Sequence, residues 1–197
     1  MLRAISLKID LPAEFSVYLE TCATIFNRYV SWCFDNKTYN KGKAHKELYQ
    51  LFRAEYPEMP SAIIQSVRDT ALESVKALKF KYQPFKKATS HVRYDKRIIS
   101  LKGDKLSIGW SGNRIKQTIK LPKFFAERYG DWKFQAATIG YDNRRKCFKA
   151  NLIFNTDTPE KTGTRSVGVD RGLYNIVSLS DGFRYTSSRI RKVKFSF

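Results

Sequence analysis

Hydrophobic residues along the chain change their spacing twice, and these changes divide it into segments. Residues 1–11 alternate apolar and polar side chains, which predicts a β-strand with one buried face. Residues 12–36, 43–55 and 62–82 repeat apolar side chains every three or four positions, which predicts three amphipathic helices. After about residue 97 the period of two returns. The order is therefore one strand, three helices and then several strands.

The later strands are separated by short runs of turn-forming residues, which is typical of an antiparallel sheet. We predict that this sheet is small and curls into a barrel. The first strand needs a partner among the later strands, because an unpaired strand edge is unfavourable. The helices are then an insertion within a β domain. The later strands with the clearest alternation are 106–110, 115–121 and 148–154.

The pattern as a whole predicts an α+β protein in which an antiparallel barrel carries an inserted helical domain. Ser61, directly after Pro60, is the predicted cap of the third helix. The final segment contains a strand, a tight turn, a second strand, an Asp-Gly hairpin and a third strand, too little to fold alone. The predicted segments are 1–11, the first barrel strand; 12–85, the helical domain; 86–155, the rest of the barrel; 156–165, a linker; and 166–197, the hairpin module.

The charge of the chain narrows the range of binding partners that the protein can have. The 197 residues contain 37 Lys and Arg against 18 Asp and Glu, a net charge of +19. Residues 84–197 hold 25 of the basic and 9 of the acidic residues, interleaved with aromatic ones. Such a distribution indicates a polyanion binder, and the alternative is a basic surface that only maintains solubility. An anionic membrane surface is a less favoured interpretation, because no strongly basic amphipathic helix is present.

Several other functional classes lack their sequence signals. No apolar run approaches the ~18 residues of a membrane span, and residues 1–11 do not resemble a signal peptide. Cys22, Cys33 and Cys147 have no CxxC spacing, and with two histidines the chain has no zinc-finger pattern. We expect reduced thiols and a cytoplasmic, nucleoid-associated protein. Nucleotide-binding glycine motifs are also absent.

Two groups of basic residues are candidate nucleic-acid contacts in the predicted sheet. Lys116 and Lys120 share one strand face with Thr118 and could follow a phosphate backbone. Arg144, Arg145 and Lys146 lie at a hairpin tip, free to reach phosphates or a groove. The alternative for both groups is a solvated surface, where charge is easily tolerated.

A third group of candidates lies where the helices meet the sheet. Arg93, Lys96 and Arg97 flank Tyr94, whose ring could stack on a base. On the third helix, Gln65 could hydrogen-bond a base edge or a phosphate, and Arg68 lies near it by helical spacing. The alternative for Gln65 is an exposed polar helix residue.

The segment Val169-Asp170-Arg171-Gly172 places a carboxylate at the end of a strand, with a glycine two residues later. The glycine would let a phosphate or a metal approach closely, and Asp170 could then be a ligand of Mg²⁺. The neighbouring Arg171 is a further candidate nucleic-acid contact. The alternative is an aspartate that caps a turn.

The whole chain resembles TnpB, the transposon-encoded RNA-guided DNA endonuclease related to type V CRISPR effectors. That family begins with a strand of a wedge-like barrel, inserts a helical recognition domain, resumes the barrel and continues into an RNase H-like (RuvC) nuclease domain. The residues that carry the resemblance are Phe26-Asn27, Ser61 and Gln65 in the helices, and Gly168, Asp170, Gly172, Asn175 and Asp181-Gly182 in the hairpin module.

The resemblance implies that the chain is the N-terminal portion of such a protein, with residues 166–197 as the incomplete start of the RuvC domain. It also implies that the barrel and helices bind a structured guide RNA, with double-stranded and displaced single-stranded DNA as further partners. Asn27 would be one nucleic-acid contact, and Asp170 the first catalytic carboxylate of a Mg²⁺ site. The family also needs a later Glu, a later Asp and a zinc ribbon with CxxC pairs, which this sequence lacks. We therefore expect that the chain does not cut DNA by itself, because one carboxylate cannot hold two metal ions.

Two further interpretations remain open at this point. The chain could be a naturally truncated, nuclease-dead regulator or accessory protein that keeps the nucleic-acid-binding role. It could also be a general nucleic-acid-binding protein in which the Asp-x-Gly sequence is coincidental, and its binding would then depend steeply on salt with little sequence preference. The oligomeric state is open in each case.

Overall fold

The structure is a computed structural model that describes residues 2–156, 167–170 and 175–186. The chain divides into two compact units, Met1–Asp157 and Thr158–Phe197. The predicted linker at 156–165 lies, apart from Thr156, outside the described residues. The first unit contains, in order, β1 (Leu2–Ile9), α1 (Phe15–Asp35), α2 (Lys41–Glu55), α3 (Ser61–Leu78), β2 (Val92–Tyr94), β3 (Ile99–Lys102), β4 (Lys105–Trp110), β5 (Asn113–Thr118), α4 (Lys123–Tyr129), β6 (Lys133–Asp142) and β7 (Cys147–Asn155).

Four strands of this unit form one antiparallel sheet in the order β1-β7-β6-β2. Strand β1 pairs with β7 over its whole length, from Leu2 opposite Asn155 to Ile9 opposite Phe148. The predicted pairing of the first strand with a later one is thus confirmed. The three long helices lie in the sequence between β1 and β2, two strands of the same sheet.

A second antiparallel sheet, in the order β3-β4-β5, is built from two tight hairpins. Gly103 begins one turn with φ +59°, and Ser111-Gly112 forms the other with φ +43° and +75°, the left-handed conformation that two-residue hairpins favour. The prediction of one sheet closed into a barrel is wrong for the described residues. After the three-residue strand β2, the amides of Ile98 and Ile99 bond back to the Asp95 carbonyl oxygen at 3.0 Å, and this turn starts the separate sheet.

The helices follow the predicted stripes but differ at their ends. The Asn40 side chain caps α2 by accepting a hydrogen bond from the Lys43 amide at 3.0 Å. Pro60 precedes α3 as its N-cap, and Ser61 is its first residue rather than its cap. Helix α3 ends at Leu78, four residues earlier than the apolar pattern predicts. No helix in the described part of the chain is long and apolar enough to cross a bilayer.

One hydrophobic core joins the helices to both sheets of the first unit. Phe15, at the start of α1, is fully buried. Its ring lies 5.6 Å from that of Phe148 in β7 and 6.1 Å from that of Trp110 in β4. The three cysteines are free.

The second unit contains a small antiparallel sheet in the order β10-β9-β8, formed by β8 (Val169–Asp170), β9 (Asn175–Leu179) and β10 (Arg184–Thr186). The Asp181 carboxylate accepts a hydrogen bond from the Phe183 amide at 3.2 Å in the turn before β10. The predicted succession of three strands with an Asp-Gly hairpin is confirmed. The predicted tight turn at 171–174 lies outside the described residues.

Candidate nucleic-acid interface

The outer face of the β3-β4-β5 sheet is cationic because of the strict alternation of its strands. Lys102 pairs in register with Lys105, and Lys116 pairs with Ser107. These three lysines are exposed, together with Arg114 on the same face. We call Lys102, Lys105, Arg114 and Lys116 the cationic sheet face. The inner face carries Leu101, Leu106, Ile108 and Ile115, which pack on the core.

The cations of this face have no acidic partners among the described residues. Arg114 instead donates from Nε to the Ser107 hydroxyl at 2.8 Å, which holds its guanidinium across the sheet. Alternate residues of a strand are about 6.6 Å apart and neighbouring strands about 4.8 Å, so the charges form a regular array. The predicted contact Lys116 lies within it. Lys120 is exposed but lies beyond the end of β5.

The predicted arginine of α3 is internal to the helical layer. The Arg68 side chain is only 14% exposed. Its Nε and Nη2 donate to Asp69 Oδ1 at 2.9 and 2.8 Å, and its Nη1 lies 2.9 Å from His45 Nδ1 of α2. Arg68 therefore links α3 to α2, and its guanidinium is occupied within the protein.

The two arginines at the junction of helices and sheet are also paired. Arg93 bonds Glu73 Oε2 at 3.1 Å, and Arg97 bonds Asp95 Oδ2 at 2.6 Å. Hydrogen bonding from Arg97 lowers the pKa of the Asp95 carboxyl. Arg97 also donates to Gln65 Oε1 at 2.9 Å, so the structure brings these two predicted contacts together. The remaining cation, Lys96, is exposed.

Tyr94 is the predicted contact that the structure contradicts. Its side chain is fully buried in β2. Because strand residues alternate, Tyr94 faces the core while Arg93 faces outward. Burial first, and the neighbouring Tyr18 second, raise the pKa of the Tyr94 hydroxyl. A base cannot stack on this ring while the protein is folded.

Asn27 is held by the backbone of a distant segment. Its Nδ2 donates to the Lys86 carbonyl oxygen and its Oδ1 accepts from the Lys86 amide, both at 2.9 Å. The Asn27 side-chain amide thus pairs with the Lys86 backbone as a residue of a neighbouring β-strand would. Asn27 is thus a positioning residue for the chain around Lys86 in this structure.

The β6–β7 hairpin presents Arg144, Arg145 and Lys146 as an exposed tip. Asp142 organises the turn by accepting from the amides of Arg144 and Arg145 at 3.0 and 3.1 Å. These backbone bonds, with that of Arg145 first, lower the pKa of the Asp142 carboxyl. The three side chains have no acidic partner in the described part of the chain.

A cavity of ≈ 470 Å³ adjoins this tip, lined in part by Lys8, Tyr141, Lys146 and the partly exposed Cys147. Asp10 also lines this cavity, so its charged residues are of both signs. The cavity lies between the hairpin tip and the end of β1.

In the second unit, Asp170 is exposed in β8, where it pairs in register with Ser178. Before it, the Gly168 amide donates to the Ser180 hydroxyl at 2.8 Å. No group of three or more His, Cys, Asp or Glu side chains lies close enough together among the described residues to hold a metal ion. Arg171 lies outside those residues.

Sequence reasoning missed an exposed aromatic segment after α3. Tyr82 is 64% exposed and Phe85 is 74% exposed. The prediction extended α3 through residue 82, which hid the alternation of lysines and aromatic residues in Lys-Phe-Lys-Tyr-Gln-Pro-Phe-Lys-Lys. The signal was the same combination of cations and rings that drew attention to Arg93 and Tyr94.

No protein-family model and no curated protein matches this chain. Its fold is similar to that of a chain in the cryo-EM structure of a CRISPR-Cas12f ternary complex, with a TM-score of 0.52 and 12% sequence identity. The similarity covers 92% of this chain and 49% of that chain, so the present chain spans about half the length of the one it matches. At this identity the likeness concerns the fold.

Proposed function

We propose that this chain is the nucleic-acid-binding part of an RNA-guided DNA endonuclease of the TnpB type, related to type V CRISPR effectors. Its ligands would be a structured guide RNA and the DNA that the guide selects. The observation that carries the proposal is the cationic sheet face, whose lysines lack acidic partners among the described residues. The sequence resemblance and the fold shared with a Cas12f chain support the same class.

The geometry of the cationic sheet face suits the backbone of a structured nucleic acid. Its residues belong to two tight hairpins whose inner side chains are fixed in the core, so the cations project from a rigid platform. Phosphate contacts of this kind position a nucleic acid without reading its sequence. In the proposed protein, sequence reading would fall to the paired guide.

We propose binding, and no cleavage step, for the described residues. Cleavage in this class would use Mg²⁺ held by several carboxylates. Asp170 is exposed in a two-residue strand, and the described residues around it do not supply the other ligands. The donor set therefore does not fit a two-metal site by itself.

The cationic sheet face is tested with the triple variant Lys102→Gln, Lys105→Gln and Lys116→Gln. We expect it to bind a structured RNA hairpin on the order of ten- to a hundredfold more weakly at low salt, with the slope of log K against log salt reduced by about 2 to 3. A matched control removes the same charge at three other exposed lysines, as Lys43→Gln, Lys46→Gln and Lys133→Gln. Equal losses in the two triple variants would contradict a specific role for this face.

The guide-RNA element is tested by sequencing the nucleic acid that stays bound during purification from the native host at moderate salt. One discrete structured RNA with a defined end is the expected result. A heterogeneous mixture that a salt wash removes would contradict the RNA-guided class and favour general nucleic-acid binding.

A further inference from the structure

The segment Lys79–Lys87 connects α3 to β2 and exposes two aromatic rings. Tyr82 and Phe85 are 64% and 74% exposed. Large aromatic side chains are normally buried, because each removes 150–250 Å² of surface from water when it packs. Two such rings on one short connection therefore require an explanation.

The first end of the segment is anchored in the helical layer. Helix α3 stops at Leu78 because Lys79 and Phe80 adopt left-handed conformations, with φ +48° and +58°. The Phe80 ring packs against Phe34, with centroids 5.3 Å apart, and stacks on Tyr39 at 6.0 Å. These contacts fix where the segment leaves the helix.

The second end is anchored at Lys86. The Asn27 amide clamps the backbone of Lys86 through the two hydrogen bonds described above. The Lys86 ammonium donates to the His91 carbonyl oxygen at 2.7 Å and lies 4.9 Å from the centre of the Phe26 ring. Burial lowers the pKa of Lys86, in keeping with this structural role. Tyr82 and Phe85 are thus held between two fixed points.

The charged residues of this segment and of the chain on either side of it are all basic. Residues 74–94 contain no Asp or Glu. Lys79, Lys81 and Lys87 are exposed and make no ion pair with any described residue. Exposed rings between unpaired lysines are the combination by which proteins hold single-stranded nucleic acids, since bases stack on the rings and phosphates meet the cations.

We infer that the Lys79–Lys87 segment is a binding site for unpaired nucleotides, with Tyr82 and Phe85 as stacking platforms. The inference rests on the proposed nucleic-acid-binding function and adds single-stranded segments as the ligand of a second surface. Three residues of extended chain span at most about 10 Å, the length of about three stacked bases. Stacking is sequence-tolerant, because every base has a π-face.

The test compares aromatic and aliphatic side chains at the two positions. A variant with Tyr82→Leu and Phe85→Leu keeps apolar side chains and all lysines but loses both rings. We expect its affinity for a fluorescein-labelled 12-nucleotide single strand to fall about 5- to 150-fold per ring, with an unchanged salt slope. RNA and DNA strands of the same sequence should lose affinity alike, because neither ring reads the 2′-hydroxyl.

Two control variants make this test specific. Exchanging the rings, as Tyr82→Phe and Phe85→Tyr, should preserve binding to within about threefold, since both residues remain stacking platforms. Phe183→Leu with Tyr185→Leu removes one Phe and one Tyr that are 64% and 57% exposed elsewhere. This second variant should also bind the single strand within about threefold of the unchanged protein.

A fully paired 12-base-pair duplex separates this site from the cationic sheet face. The leucine variant should bind this duplex as tightly as the unchanged protein does, because the bases of a duplex are not available for stacking. Unchanged single-strand binding in the leucine variant, while the triple lysine variant still weakens RNA binding, would overturn this inference and leave the proposed function intact. A protein that binds none of these probes would overturn both.

Discussion

Two neighbouring stretches of this chain combine lysine or arginine with aromatic residues, and the fold uses them in opposite ways. Residues 93–97 contain Arg93, Tyr94, Lys96 and Arg97, yet Tyr94 is fully buried and both arginines pair with carboxylates. In the Lys79–Lys87 segment the rings of Tyr82 and Phe85 are exposed, and its exposed lysines are unpaired in the described part of the chain.

The difference comes from strand pairing rather than from composition. Tyr94 belongs to β2, where it pairs in register with Ala137 of β6 and faces the core. Residues 79–87 lie in none of the strands, and no ladder turns alternate side chains of this segment inward. Cations beside aromatic rings therefore indicate a binding surface only where the backbone leaves both accessible.

The largest expected effect is the difference in stability between truncating the buried Tyr94 ring and truncating the exposed Tyr82 ring. Tyr94→Ala should lower the free energy of unfolding by about 3–5 kcal/mol, as for other large core truncations. Tyr82→Ala should change it by less than about 0.5 kcal/mol. Urea titration followed by circular dichroism measures both. Tyr94→Phe is the control and should be nearly neutral, because the Tyr94 hydroxyl is buried without a regular hydrogen bond. Equal costs for the two alanine variants would abolish the distinction.

An intermediate effect concerns the Asn27 amide, which anchors the exposed segment at Lys86. Asn27→Ala removes both hydrogen bonds to the Lys86 backbone and should cost about 1–3 kcal/mol of stability. It should also weaken single-strand binding, since Phe85 loses its anchored neighbour. Urea titration and amide exchange at Lys86 provide the measurements. Asn143→Ala, in an exposed turn, is the matched control, and an equally small effect of both would exclude a positioning role for Asn27.

The smallest effect is the pH dependence that His91 brings to the link between the two stretches. Its ring lies against Gly140, where an added Cβ would approach the ring to 2.7 Å. Partial burial first, and then the charges of Lys149 and Lys86, lower the pKa of His91, while Asp142 acts in the opposite direction.

Because the folded pKa is the lower one, the unfolded chain binds the proton more tightly. The contribution of His91 to stability is therefore complete above about pH 6.5 and declines as the pH falls through the folded value. His91→Gln should lose less stability than the unchanged protein between pH 7 and pH 5, as judged by midpoints of urea unfolding. A parallel decline of both proteins would assign the pH dependence to other groups.

Much of the fold could be predicted because long elements bury one continuous face. The alternation of β1 and the stripes of α1 and α3 follow directly from burial in one shared core. Strand β2 has only three residues and β3 only four, too few for a reliable period. The apolar pattern predicts an end of α3 that is too late, because the left-handed turn at Lys79 and Phe80 interrupts a pattern that continues in the sequence.

The candidate sites were predictable where they depend on alternation alone. The clear alternation of its strand predicts the outward position of Lys116. Lys102 and Lys105 flank the Gly103 turn, where the sequence pattern does not show that they belong to paired strands. The pairing of Arg68 with His45 of another helix could not be deduced, since it depends on how two helices pack. Local periodicity gives the facing of a side chain, but its partners come from tertiary structure.

The pairing of β1 with β7 also determines how long the first strand remains unpaired during translation. The first strand leaves the ribosome about 140 residues before its partner, since Ile9 bonds opposite Phe148. At 5–20 residues per second, this delay is roughly 7–28 s. The helices can pack together during this interval, because their contacts are closer in sequence. The backbone hydrogen-bonding groups of β1 meanwhile remain unpaired. Translation speed through residues 10–147 should therefore govern how often the nascent chain aggregates before its sheet can close.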